Sequence, residues 1–301
     1  MKKVLFVFNP RSGKEQIRSK LLDIVDVFSK AGYELTVYAT QKPGEAAEII
    51  RNMGKNKALV VCSGGDGTLN EAVTGLMALD TKKRPVLGYI PAGSTNDFAA
   101  SLNIPRNMIR ASEHIVSGSN YSIDVGKFGD SRYFMYIAAF GAFTEVSYTT
   151  PQEAKNLLGH QAYMLEAVKR VTNLKSYCMK FLWEDHELNE EFILGMVTNT
   201  ISIGGFKGLT GMDVALDDGE FEVLLVRKPR TPKDITSIVS YLLAKEGEND
   251  CVYKFRTKSL QVISSEPVDW TLDGEYGGST NTVEIENLRR QITIRKNMGN
   301  A

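Results

Sequence analysis

The chain has 301 residues, 43% of them apolar, which excludes a disordered chain and leaves room for one large domain or two ordinary ones; two are expected. Its 36 basic residues balance 36 acidic ones, so no bulk charge drives it toward nucleic acid or an anionic membrane, and only local patches could do so. Cys62, Cys178 and Cys251 lie far apart, with no CxxC pair and no histidine at metal-binding spacing, and read as reduced core residues of a cytoplasmic protein without a zinc site.

Met1-Lys2-Lys3 followed by the apolar run Val4 to Phe8 is too short for a signal peptide, since Asn9-Pro10 ends it, and no other apolar run approaches membrane-spanning length. From there strand and helix signals alternate: a strand at Val4 to Phe8, a helix from Gln16 to Ala31, a strand at Glu34 to Ala39, a helix from Glu45 to Met53. A strand at Ala58 to Cys62, a helix from Leu69 to Met77, a strand at Val86 to Ile90 and a helix from Phe98 to Leu102 follow. Short apolar strands between amphipathic helices predict a parallel sheet covered on both faces. Beyond Asp124 strands dominate: Tyr133 to Ala139, Lys180 to Trp183, Phe192 to Asn199, Phe221 to Val226, Tyr253 to Phe255, Ser259 to Ser264, Val268 to Leu272, Thr282 to Glu286 and Gln291 to Arg295. Turn signals at Asp217-Asp218-Gly219 and Asp273-Gly274 punctuate them, and helices are expected at Gln152 to Asn173 and Pro232 to Ala244. The pattern predicts a second, mostly antiparallel domain.

In the first region the polar turns after successive strands should gather at one edge of the sheet, where ligands of parallel sheets bind. These turns are Asn9-Pro10-Arg11-Ser12-Gly13, Thr40, Gly64-Gly65-Asp66-Gly67-Thr68 and Gly93-Ser94-Thr95-Asn96-Asp97. The loop around Asp66 stands out. Its glycines let backbone approach a ligand, and the helix it opens offers unpaired N–H groups to a phosphate. A carboxylate in a phosphate loop is repelled unless a divalent cation stands between, so the loop reads as a site for a metal-bound nucleotide, although a plain turn would also place glycine and aspartate there. It is neither a Walker A loop, because Gly13-Lys14 is followed by Glu15, nor a dinucleotide fingerprint, because Asn70 stands where a third glycine is needed. Asp66, Asp97 and Asp124 all fall near expected strand ends, and three converging carboxylates call for cations, with Mg²⁺ the natural partner of phosphoryl transfer.

The Gly64 to Thr68 loop resembles the GGDGT signature of diacylglycerol, sphingosine, ceramide and NAD kinases and, in variant form, phosphofructokinases. The wider set is similar to the bacterial soluble diacylglycerol kinase and YegS-like lipid kinase family: Asn9 to Gly13, Gly64 to Glu71, Gly93 to Phe98, Asp124, Gly159 to Tyr163, Asp217-Asp218-Gly219 and Leu272-Asp273-Gly274-Glu275, in order along the chain. The resemblance implies an α/β nucleotide-binding domain of the NAD kinase/phosphofructokinase type at residues 1–125 plus about 288–301. It also implies a β-sandwich lipid-substrate domain at 126–287, an active site in the cleft, and a last strand, Gln291 to Arg295, that returns to the first domain.

The same resemblance assigns ATP contacts to Asn9, Pro10, Arg11, Ser12, Gly13, Thr40, Gly64, Gly65, Asp66, Gly67, Thr68, Leu69, Asn70 and Ser94, and a Mg-ATP network to Asp66, Asp97 and Asp124. Asp218, with the backbone carbonyls of Ala215 and Glu220, would hold a structural Mg²⁺, although Asp217-Asp218-Gly219 alone is also an ordinary hairpin turn. Glu275 matches the proton acceptor, a carboxylate that in a partly desolvated cleft takes the proton of a lipid hydroxyl. The implied activity is an ATP-dependent lipid kinase turning diacylglycerol into phosphatidic acid, cytoplasmic and transiently at the inner face of the membrane, with no nucleic-acid partner and a homodimer as one allowed assembly. The alternatives are a kinase of another lipid (sphingoid, monoacylglycerol or phosphatidylglycerol type), an NAD kinase, or a nucleotide-binding regulator without turnover. Two departures from the family pattern are Ser94 in place of its usual threonine and the absence of its frequent proline after Gly204 to Gly208.

Overall fold

A computed structural model describes residues 1–13, 15–93, 96–141, 174–200, 202–203, 206–207, 214–244 and 249–297. The expected helix at Gln152 to Asn173, with Gly159 to Tyr163, lies outside the described residues, as do Lys14, Ser94 and Thr95. The chain divides into two compact units, one of Met1–Val125, Leu216–Gly219 and Leu288–Ala301, the other of Gly126–Ala215 and Glu220–Asn287.

The first unit begins with β1 (Lys2–Phe8), α1 (Ile17–Lys30), β2 (Tyr33–Ala39), α2 (Glu45–Met53), β3 (Leu59–Gly64), α3 (Asp66–Met77) and β4 (Val86–Pro91). α4 (Asp97–Ser101), α5 (Met108–Ser117) and β5 (Ser119–Phe128) follow, the last of these running into the second unit. The strands are parallel in the order β4-β3-β1-β2, with Val4 beside both Leu35 and Leu59 and Leu59 beside Val86. β1, β3 and β4 are almost wholly buried because helices cover both faces, which is why their sequences run apolar without alternation. The chain leaves β1 toward β2 on one side and leaves β3 toward β4 on the other, so the crevice of this sheet opens at the carboxyl ends of β1 and β3.

The second unit is antiparallel. It holds β6 (Arg132–Phe134), β7 (Ile137–Gly141), β8 (Tyr177–Trp183), β9 (His186–Thr198), β10 (Ser202–Ile203), β11 (Phe206–Lys207), β12 (Phe221–Arg227), α6 (Pro232–Ala244), β13 (Val252–Thr257), β14 (Ser259–Leu272) and most of β15 (Glu275–Lys296). The long strands β9 and β14 each serve two neighbours along one edge, while the other edge pairs with β12 and β15 respectively. β9 pairs with β8 through His186 to Phe192 and with β7 through Leu194 to Thr198, while β14 pairs with β8 through Gln261 to Ser264 and with β7 through Trp270 to Leu272. The pairings therefore close on themselves as β9-β7-β14-β8.

Several expectations differ from the structure: Cys178 is exposed and not in the core, β8 and β9 start before their expected runs, and three strand assignments change. The runs Ser259 to Ser264 and Val268 to Leu272 are one strand whose register shifts against β15 between Ile263 and Val268, so the Glu266-Pro267 interruption bends the strand without ending it. Thr282 to Glu286 and Gln291 to Arg295 are likewise one strand, β15, whose far end enters the first unit, where Ile294 pairs in parallel with Leu87. Tyr133 to Ala139 is the reverse case, two strands instead of one, because the N–H groups of Met135, Tyr136 and Ile137 point to a side chain, the Asp273 carboxylate.

Inside the ring of strands, Phe140 lies at the centre of an aromatic cluster, with ring centroids 5.1 Å from Trp270 and 6.2 Å from Phe181 and Tyr177. Phe140, Phe181 and Trp270 are almost completely buried. Phe140→Ala is expected to destabilise the second unit by about 3–5 kcal/mol through lost burial and an unfilled cavity. Both tryptophans of the chain, Trp183 and Trp270, lie in this unit, so urea denaturation followed by tryptophan fluorescence reads it directly. A midpoint unchanged from wild type would remove Phe140 from the core.

Candidate functional site

The four polar turns expected at one edge of the first sheet do meet there, apart from the undescribed Ser94 and Thr95. Backbone bonds tie them: Asn9 N–H donates to Ser63 O (2.9 Å), Thr40 N–H to Phe8 O (2.9 Å) and Ala92 N–H to Gly64 O (2.8 Å). The loops then touch at glycines. A Cβ on Gly93 would stand 2.6 Å from Gly65 Cα, and one on Gly13, at φ +57°, would stand 2.1 Å from Ala92 O. No side chain fits at either position, so the residue type is required by packing as well as by any ligand. Ser12 Oγ faces the same place, 3.7 Å from where a Cβ on Gly65 would lie.

α3 begins at Asp66, three residues earlier than its apolar run suggests, with Gly65 extended at the cap position. Gly65 to Thr68 are therefore the first turn of a helix whose opening N–H groups, together with the helix dipole, favour an anion. Asp66 is only partly buried and its Oδ2 accepts the N–H of Asp97 at 3.3 Å, which brings two of the three expected acids together at the starts of α3 and α4. Asn96 locks the neighbouring turn: at φ +55° its side chain accepts the Gly93 N–H (2.9 Å) and donates to Gly93 O (2.7 Å). Beneath them the buried Tyr89 hydroxyl donates to Gly64 O at 3.2 Å. Burial, and after it the Asp66 carboxylate, hold that hydroxyl well above the usual phenol range, so it remains a donor under the glycine loop.

Asp124 binds another part of the unit. It is 1% exposed, its Oδ2 accepts the Gly219 N–H (2.6 Å) and its Oδ1 the Arg290 N–H (2.7 Å), while its own N–H donates to Leu216 O (2.8 Å). One carboxylate thus ties β5, the turn Leu216–Gly219 and β15 together. Arg290 also pairs with Asp217 at 2.9 Å. Asp218 lies in this turn, and Ala215 and Glu220 flank it in the chain. Among the described residues no three His, Cys, Asp or Glu side chains stand together as a metal cage.

Glu275 opens β15 opposite Leu272 across the Asp273-Gly274 turn, and it is solvent-exposed where the sequence leads one to expect a partly desolvated carboxylate. Sequence reasoning assigns no role to Glu71, Tyr89 or Asn96. Glu71 accepts the N–H groups of Gly44 (2.7 Å) and Ala46 (3.1 Å), so α3 supplies the cap of α2 next to the Thr40 turn. Only the position of an acid one turn into α3 hints at this, because its partners lie 25 and 27 residues away.

The family model of the diacylglycerol kinase catalytic domain matches residues 3–128. The chain is similar to a diacylglycerol kinase of Staphylococcus aureus, 35% identical over 298 residues that cover 97% of this chain and 92% of that protein. It is 34% identical to one of Bacillus subtilis over 296 residues, 98% of this chain and 96% of that protein. Among solved structures, one described as a putative diacylglycerol kinase from Bacillus anthracis superposes with a TM-score of 0.82 at 29% identity, covering 99% of this chain and 96% of that one.

The burial that dominates at Asp124 raises its carboxyl above the ordinary range, against the lowering effect of the Arg290 and Gly219 N–H groups and with the help of Asp218 and Asp217. An acid raised on folding holds its proton more tightly when folded, so stability falls as pH rises from the unfolded value, about 3.9, to the folded one, and is level above it. Asp124→Asn removes this titration. In chelator-treated protein, the unfolding free energy of the variant relative to wild type, from urea denaturation followed by circular dichroism, is expected to improve as pH rises from about 4 through that window. A difference that does not change with pH would exclude Asp124 as a raised acid.

Proposed function

The chain belongs to the diacylglycerol kinase family, and we propose that it transfers the γ-phosphoryl group of ATP to the free hydroxyl of a diacylglycerol, forming phosphatidic acid. The observation that carries this reading is the meeting of the Asn9 to Gly13, Gly64 to Thr68 and Ala92-Gly93 backbones at the crevice of the first sheet, with a helix N-terminus opening onto it. Full-length similarity to diacylglycerol kinases supports the lipid over NAD as acceptor. The parallel order β4-β3-β1-β2, with the glycine loop after β3, supports kinship of the first unit with the NAD kinase and phosphofructokinase folds.

In this reading Asn9 to Gly13, Thr40, Gly64 to Asn70 and Ser94 hold the nucleotide, chiefly through backbone N–H groups on its phosphates. Asp66 and Asp97 present hard oxygen donors at that rim, which suits Mg²⁺: this ion is commonly held by one or two carboxylates plus the phosphates of the nucleotide and needs no protein cage. When bound, Mg²⁺ neutralises charge on the phosphate oxygens. Asp124 supports the network from β5 by fixing the Asp217–Gly219 turn, and Asp218 with the carbonyls of Ala215 and Glu220 offers three further oxygen donors for a structural Mg²⁺. Glu275 accepts the proton of the lipid hydroxyl as its oxygen attacks the γ-phosphorus.

No helix among the described residues is long and apolar enough to cross a membrane. A lipid acceptor has to be met at a bilayer surface, and in this reading the attachment is peripheral and transient, at the cytoplasmic face. The decisive experiment is labelled-ATP turnover on vesicles carrying diacylglycerol, a sphingoid base, monoacylglycerol or phosphatidylglycerol, with NAD as a separate acceptor. Phosphatidic acid is the expected product, and phosphorylation of NAD alone would overturn the reading. Glu275→Gln should keep ATP affinity and lower kcat by at least about a hundredfold, because it removes a base without touching the nucleotide rim. Near-normal turnover would remove Glu275 from the chemistry.

The structural Mg²⁺ has its own test, since an ion that binds only the folded chain raises the melting temperature by mass action. Wild-type Tm is expected to rise with added Mg²⁺ and Asp218→Ala to lose most of that response. An equal response in both proteins would exclude Asp218 as a ligand.

A further inference from the structure

Glu275 is carried by a hairpin turn whose first residue does more than turn the chain. Asp273 and Gly274 have φ of +51° and +84°, the combination of a two-residue type I′ turn, and such a turn asks nothing of the aspartate side chain. Asp273 is nevertheless buried, 4% exposed. Its Oδ2 accepts the N–H of Met135 (2.7 Å), its Oδ1 accepts those of Tyr136 (2.9 Å) and Ile137 (3.1 Å), and its own N–H donates to Ile137 O (2.9 Å). Three successive backbone N–H groups around one carboxylate form an anion-holding nest, and here the anion is the chain's own side chain.

The three donors are withdrawn from the strand ladder, which is why β6 and β7 are separate strands, and the turn is clamped to the segment between them at four points. Two residues later the chain emerges to solvent at Glu275. A flexible side chain on a free hairpin tip samples many directions, whereas one whose turn is held at its base keeps the approach that a proton transfer needs.

We propose that Asp273 is the positioning residue of Glu275: by holding the turn on the nest of residues 135–137 it sets the direction from which the Glu275 carboxylate meets the acceptor hydroxyl. This rests on the reading of Glu275 as proton acceptor. Asp273 does not take the proton itself, since it is buried and both its oxygens already receive backbone donors.

A double-mutant cycle tests it, with kcat measured at saturating ATP on diacylglycerol vesicles. Asp273→Asn keeps the side-chain size but turns one acceptor into a donor that faces a backbone N–H. Alone, it should lower kcat by about tenfold or more while leaving the KM for ATP within about twofold of wild type. In a Glu275→Gln background the same change should cost less than about twofold, because the group it positions is already gone. Wild-type turnover in the single variant, or an equal loss in both backgrounds, would reduce Asp273 to a structural residue. Failure of the underlying reading is separate: Glu275→Gln would then itself turn over normally. If Asp273→Asn does not fold by circular dichroism, Gly274→Ala takes its place under the same criteria. That change strains a position at φ +84° but leaves the carboxylate in place, and its Cβ would have only the Tyr136 hydroxyl nearby, at 3.7 Å.

Discussion

The first unit depends on how closely three loop backbones can approach at the end of one parallel sheet. β1 and β3 are neighbours whose chains depart to opposite sides, so a crevice opens between their carboxyl ends, and the loops after β1, β3 and β4 pack into its rim. Glycine at positions 13 and 93 is what permits it: a Cβ on Gly93 would meet the Gly65 backbone and one on Gly13 the Ala92 carbonyl, so no side chain can come between. With side chains excluded, the groups left facing the rim are main-chain N–H donors and the start of α3. Main-chain N–H groups and a helix start favour an anion, which is what the proposed phosphate site requires.

Against this cationic tendency the protein places acids, and their surroundings divide the work. Asp66 and Asp97 meet at the starts of α3 and α4, the Asp66 carboxylate accepting the Asp97 N–H, and in the proposed reading they supply oxygen to a cation. Glu71, Asp124 and Asp273 instead bind backbone N–H groups: those of Gly44 and Ala46, of Gly219 and Arg290, and of residues 135–137. Each satisfies donors that loops and helix starts would leave unpaired, and each joins segments distant in sequence. A carboxylate does this better than an amide, because it brings two acceptor oxygens and charge-assisted bonds.

The comparisons and the geometry support the same chemistry by separate routes. Similarity to diacylglycerol kinases extends over nearly the whole chain, beyond the 3–128 segment that carries the catalytic-domain match. The antiparallel unit is therefore part of what is shared. Glu275 and its anchor belong to that unit.

The sequence alone determined the elements of the first sheet and the rim they form. Continuous apolar runs such as Val4 to Phe8 and Val86 to Ile90 are a local signature of strands buried on both faces, and the glycine and acid pattern at 64–68 is contiguous. Residue chemistry likewise pointed to Asp66, Asp97 and Asp124, whereas Asp218 and Glu275 were named only through the family resemblance, their local sequence being that of ordinary turns. Tertiary structure decided what local pattern cannot carry. It bent β14 through Pro267, ran β15 unbroken from one unit into the other, and divided Tyr133 to Ala139 into two strands because a carboxylate 136 to 138 residues away claims the N–H groups between them. It also parted Asp273 from Glu275, burying one acid and exposing the other two residues on. Periodicity and motif report a residue's neighbours along the chain, whereas the partner of a hydrogen bond and the burial of a carboxylate depend on which distant backbone the fold brings beside it.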